Sequence, residues 1–116
     1  MEKRGITKLQ RAASVCTDRL ARFFPEAESV EVRALLTPLR GGAGTVCESV
    51  LVEFASAEKA IFQSSLPLEF NDRVQLAQAN GNGKVEGTVI AVQYHEGQKA
   101  VAVQFVNGQP AWVNQP

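Results

Sequence analysis

The apolar positions of the chain change period at Pro25. Ahead of it, Ile6, Leu9, Ala13, Cys16, Leu20 and Phe23 recur at steps of three and four, which aligns them along one stripe of an α-helix. Lys8, Gln10, Arg11, Ser14, Thr17, Asp18 and Arg22 fall mostly on the other faces. The pattern predicts one amphipathic helix over 6–23. Pro25 stops it, because proline cannot continue the ladder and pushes the residue before it away from helical dihedrals. A narrow stripe with small Ala13 and Cys16 at its middle suits either packing across a barrel mouth or a helix-to-helix seam, so these six residues form a candidate interaction surface.

After Pro25 the period is two. Val30, Val32, Ala34 and Leu36 alternate with Glu31, Arg33 and Leu35, and Pro38 with the run Gly41-Gly42-Ala43-Gly44 closes the strand. Val46, Val50, Val52 and Phe54 alternate with Cys47, Leu51 and Glu53, and a short strand follows at 60–63. Another covers 73–77, entered through the turn Asn71-Asp72. Asn80-Gly81-Asn82-Gly83 is a hairpin signal, since Asn and Gly tolerate positive φ. Strands over 84–94 and 99–106 are joined by His95-Glu96-Gly97-Gln98, and Gly87 is expected to mark a bulge or sharp bend. Ala111-Trp112-Val113 reads as a short apolar patch folded back on the body. Six short strands separated by turns, with no helix between them, predict a mainly β fold: a six-stranded antiparallel barrel, residues 25–116, carrying an N-terminal helix, residues 1–24.

Composition narrows the class. At 116 residues and 45% hydrophobic, one domain can bury a core without a metal or disulfide. No apolar run approaches the roughly 20 residues that cross a bilayer. The basic start has no apolar stretch of a secretory signal, and Met1 reads as the start of a full-length chain. Two cysteines, Cys16 and Cys47, read as free thiols, so a cytoplasmic protein is expected. The zero net charge hides an asymmetry: residues 1–24 hold six bases against two acids, and the remainder six bases against ten acids. A basic segment on an acidic body can attract an anion or dock on a neighbouring subunit, while the acidic body disfavours DNA.

Catalytic chemistry is sparse. His95 is the single histidine and the cysteines are far apart, so neither a zinc site nor an oriented Cys-His pair is expected. The glycine groups open no helix and lead to no Lys-Ser or Lys-Thr, which makes them turns rather than phosphate loops. Glu26, Glu28 and Glu31 read as solvated surface. The expectation is a protein that is not an enzyme and needs no cofactor. An OB-like binder of single-stranded nucleic acid is the alternative from another class, with Phe54, Phe62, Phe70, Tyr94, Phe105 and Trp112 as the aromatics that would have to stack.

From Arg22 onward the ordering resembles a PilZ-type domain, a bacterial β-barrel associated with cyclic di-GMP. The resemblance rests on Arg22-Phe23 before the first strand and on Val50-Leu51-Val52-Glu53-Phe54-Ala55-Ser56-Ala57-Glu58-Lys59-Ala60-Ile61. It also rests on the passage from Leu66 to Leu76, on Val85-Glu86-Gly87-Thr88-Val89 and Val101-Ala102-Val103-Gln104-Phe105, and on the tail Ala111-Trp112-Val113. Members that bind cyclic di-GMP use an RxxxR motif before the first strand and a [D/N]xSxxG motif in the barrel, where arginines grip phosphate and guanine and the glycine admits the backbone. Here Arg22 matches the second arginine, Asp18 stands at the first with Arg19 beside it, and Ser56 matches the serine. Phe54 replaces the Asp or Asn, and Lys59 replaces the Gly. Each lost contact would cost about 1–3 kcal/mol of binding. The resemblance thus implies a signalling or regulatory module with weak or no cyclic di-GMP binding that acts by protein–protein contact, including self-association, through the helix. Its alternative is a cyclic di-GMP sensor using Arg19, Arg22, Ser56 and Lys59.

Overall fold

The computed structural model describes residues 14–39, 46–79 and 83–106. Helix α1 (Val15–Ala21) is followed by six strands: β1 (Glu28–Pro38), β2 (Glu48–Ala55), β3 (Lys59–Gln63), β4 (Arg73–Gln78), β5 (Lys84–His95) and β6 (Gln98–Phe105). All pairings are antiparallel, and the sheet closes on itself in the order β1-β2-β3-β6-β5-β4. The expected six-stranded barrel with a helix ahead of it is what forms. Sequential hairpins supply most of the ladder, and two non-sequential seams, β3–β6 and β1–β4, close it.

The barrel interior is filled by Leu36, Val50, Val52, Phe62, Val74, Leu76, Val89, Val101 and Val103, with Leu68 entering from the connection before β4. A fully buried side chain of this size contributes about 1.5–3 kcal/mol. A second core lies outside the barrel wall, where Cys16 and Leu20 of α1 meet Ile61 of β3 and Ala100 and Ala102 of β6. The two cores explain why β6 reads Ala-Val-Ala-Val over 100–103. Valines fill the interior, and alanines on the opposite face let the helix approach closely. Strands buried on both faces lose polar alternation, as the run Ala60-Ile61-Phe62 also shows.

Several local expectations give way. The stripe over 6–23 is not one helix: Ser14 is the N-cap of α1, with φ −71° and ψ 160°, and its side chain accepts a hydrogen bond from the Thr17 amide. Ile6, Leu9 and Ala13 lie outside the described residues. At the other end the helix stops at Ala21, four residues before Pro25, and Phe23 has left the stripe to stand 72% exposed. The helix covers the outer wall over β3, β5 and β6 rather than a barrel mouth. β2 starts at Glu48, leaving Val46 exposed. A register shift in its pairing with β3, between Val52 and Phe54, turns Phe54 outward beneath the helix and Ala55 inward. Gly87 is not a bulge. It is paired in regular register, and a Cβ there would stand 3.1 Å from the Gln104 carbonyl oxygen. The irregularity in β5 falls between Val89 and Ala91, and puts both Ile90 and Ala91 on the helix side. The glycine run at 41–44, residues 80–82 and the tail from 107 lie outside the described residues.

Candidate functional site

The residues singled out for a nucleotide fall on two elements. Ser56 and Lys59 share the turn between β2 and β3. There the Ser56 Oγ accepts hydrogen bonds from the backbone amides of Glu58 (3.2 Å) and Lys59 (3.1 Å), and the Ser56 amide donates to the Lys59 carbonyl at 2.9 Å. The hydroxyl oxygen thus stabilises its own turn, as short polar side chains commonly do. The Lys59 side chain is only 16% exposed, with Nζ 3.1 Å from the Glu26 carboxylate and 3.9 Å from Glu58. It also sits 5.8 Å from the centre of the Phe24 ring. The backbone amide of Glu26 itself, then the hydrogen bond from Lys59, hold the Glu26 carboxyl below its ordinary range. Beside the turn is a cleft of about 450 Å³ at the end of the barrel, lined by Glu26, Glu28 and Glu58 together with Val30, Ala55, Ser56 and Ala57.

Arg19 and Arg22 sit on and just after α1, both exposed. Arg22 is paired with Asp18 at 3.3 Å, a helical i,i+4 contact made possible by the very aspartate that stands at the first motif position. Among the described residues, neither arginine shares a hydrogen bond with Ser56. The local field beside Ser56 is set by three carboxylates and one paired lysine, which is an unfavourable setting for phosphates.

The candidate interaction helix is committed to its own barrel at Cys16 and Leu20, which are buried. The Glu53 carboxylate of β2 anchors its start, accepting from the Ser14 amide at 2.8 Å and from the Thr17 hydroxyl. The Cys16 thiol donates towards the Gln93 carbonyl (3.5 Å) and lies 3.7 Å from that of Gln98. Burial pushes its pKa up, against smaller opposing effects of the Ala100 amide and Arg19, so it stays a thiol at neutral pH.

Sequence inspection missed a second polar cluster at the opposite end of the barrel. The Glu48 carboxylate accepts from the Ser64 hydroxyl (2.7 Å), the Ser65 hydroxyl (2.6 Å) and the Ser65 amide (2.9 Å). The Lys99 ammonium donates to the Leu66 carbonyl. Burial alone would raise the Glu48 pKa, but the two serines and the charge of Lys99 outweigh it and leave the carboxyl below its ordinary range. These residues line a cleft of about 510 Å³ with Gln63, Tyr94, Gly97 and Gln98. The signal was available: Glu48 stands on the inward phase of β2, two residues before Val50, where a carboxylate must find donors. The cluster ties the start of β2 to the connection that leaves β3.

Among the described residues no group of three or more His, Cys, Asp or Glu is arranged to hold a metal ion, and no helix is long and apolar enough to cross a membrane. The aromatics of the OB-like alternative are dispersed: Phe62 and Phe105 are buried in the interior, Phe54 lies under the helix, and Phe70 and Tyr94 are exposed. Trp112 lies outside the described residues. No family model matches the chain, and no curated protein matches it as a relative.

Proposed function

We propose that the chain is a non-catalytic, PilZ-like regulatory module of the bacterial cytoplasm that acts by contact with protein partners, itself included, and binds cyclic di-GMP weakly or not at all. One observation carries the nucleotide half of this proposal. Ser56 and Lys59 are engaged within their own turn and with Glu26 and Glu58, next to a cleft that three carboxylates line. A bis-phosphate ligand would have to displace the Lys59–Glu26 pair and approach those carboxylates in the same step. Isothermal titration of the folded chain with cyclic di-GMP, and cyclic di-AMP as control, tests it. The expected result is a Kd weaker than about 1 mM for both; guanine-selective binding tighter than about 100 µM overturns it.

A sensor function has one observation in its favour: Arg19 is exposed and makes no ion pair among the described residues. If guanine-selective binding does appear, replacing Arg19 and Arg22 together with Ala abolishes it while the far-UV circular dichroism spectrum stays unchanged.

A further inference from the structure

We propose that the outer edge of β5, at Val92–Tyr94, is a self-association surface on which two copies of this chain pair antiparallel across a two-fold axis. This goes beyond the function proposed above and stands without the nucleotide assignment.

β4 is half the length of β5 and covers it only from Lys84 to Thr88. The connection before β4 extends that cover by one residue: the Asn71 amide donates to the Val89 carbonyl and the Val89 amide donates to the Asp72 carbonyl, both at 2.8 Å. Past Val89, β5 has β6 on one side and, among the described residues, no backbone partner on the other. The direction of its free groups follows from the hairpin. Glu96 (φ 49°) and Gly97 (φ 80°) form a two-residue turn of the type that matches strand twist. Flanking residues His95 and Gln98 therefore exchange both hydrogen bonds, and so do Gln93 and Ala100 two places on. Val92 and Tyr94, lying between, turn their N–H and C=O groups away from β6 to the open edge.

A second open edge gives the contrast. The first half of β1, residues 28–32, also has no β4 partner, but it carries Glu28, Glu31 and a register irregularity, the devices that blunt an edge. The β5 stretch Val89-Ile90-Ala91-Val92-Gln93-Tyr94 has no charge and no proline, and is rich in strand-forming residues. Its register is regular from Ala91 to His95, and Tyr94 is 71% exposed.

The edge fits a second copy of itself. Antiparallel pairing centred on Gln93 sets Val92 of one copy against Tyr94 of the other, and the reverse, so that all four outward groups on each copy are satisfied. The two Gln93 side chains meet as neutral amides on the axis, and no like charges are opposed. A self-complementary patch of this kind closes as a dimer rather than propagating.

Sedimentation velocity on the full chain tests this, with Tyr94→Pro, Gln93→Lys and Gln93→Glu as variants and far-UV circular dichroism to check their folding. The wild type is expected to be a dimer whose fraction rises with concentration. Tyr94→Pro removes the outward amide together with the exposed phenol, leaves the ladder to β6, and loosens the dimer by at least about tenfold. Gln93→Lys and Gln93→Glu each give monomers, because like charges face each other on the axis, and an equimolar mixture of the two restores the dimer. If Tyr94→Pro does not fold, the Gln93 pair decides. A wild type that remains monomeric to about 1 mM, or a dimer that both Gln93 variants leave intact, overturns the proposal.

Discussion

The two ends of the barrel use the same kinds of residue to opposite effect. At the end where β2 begins, one carboxylate, Glu48, meets two serine hydroxyls and an amide, and Lys99 clasps the Leu66 carbonyl. Leu66 and Leu68 are thereby held against the interior core. At the end where β2 finishes, Glu26, Glu28 and Glu58 line a cleft with Lys59 as the cation paired to two of them. A carboxylate surrounded by donors fastens the chain; carboxylates that outnumber their donors repel anions and leave the cleft open. Residue type decides neither outcome, and the local count of donors decides both.

If the first end is a true fastening, the largest effect comes from removing what it fastens. Leu68→Ala should destabilise the fold by about 2–5 kcal/mol in urea unfolding, since a buried leucine is lost from a closed barrel. A loss below about 1 kcal/mol would mean that the connection is not a plug. Glu48→Ala should cost about 1–3 kcal/mol by leaving the Ser64 and Ser65 donors unmatched. Glu48 also gives this end a pH signature. Its folded pKa lies below the ordinary value of 4.5, so its contribution is present above that value and disappears as pH falls through the folded pKa. Thermal melts of wild type and Glu48→Gln should therefore converge on acidification below about pH 4.5 and differ at neutral pH; a constant difference would detach the effect from ionisation.

The other end should respond weakly. Ser56→Ala removes the acceptor for two turn amides that lie near solvent, and is expected to cost about 1 kcal/mol or less. The smallest effect sharpens the contrast most. Replacing Glu26, Glu28 and Glu58 together with Gln should raise affinity for cyclic di-GMP at low salt, and added salt should erase the gain. Unchanged titrations would show that shape, and not local charge, keeps phosphates away.

The parts of the fold legible in sequence are those where one periodicity acts alone. β1, β4 and the first half of β5 are legible because each alternates against one interior. β6 is legible as a strand only by its β-branched run, since both of its faces are buried. The rest was hidden where two demands overlap. The alternation groups Phe54 with Val50 and Val52, and nothing local announces the register shift after Val52. The apolar stripe continues across Ser14, whereas the cap depends on Thr17 and on Glu53, a strand residue far along the chain. The candidate site divided in the same way. Ser56 and Lys59 were brought together by a local turn, but the Asp18–Arg22 pair and the Glu26–Lys59 pair depend on where the helix ends and how its connector crosses β3.

The two seams that close the barrel also bear on how it is reached. Hairpins β1–β2, β2–β3, β4–β5 and β5–β6 join near neighbours in sequence and can zip early. The seams pair Ala34 with Gln78 and Lys59 with Gln104, so the entropy of two long loops must be surrendered before either seam gains a contact. The chain should therefore fold as two sequential three-stranded meanders that meet late. Until they meet, α1 can reach Ile61 and Glu53 of the first meander but not the alanine face of β6, so its seat should be completed only when the seams form.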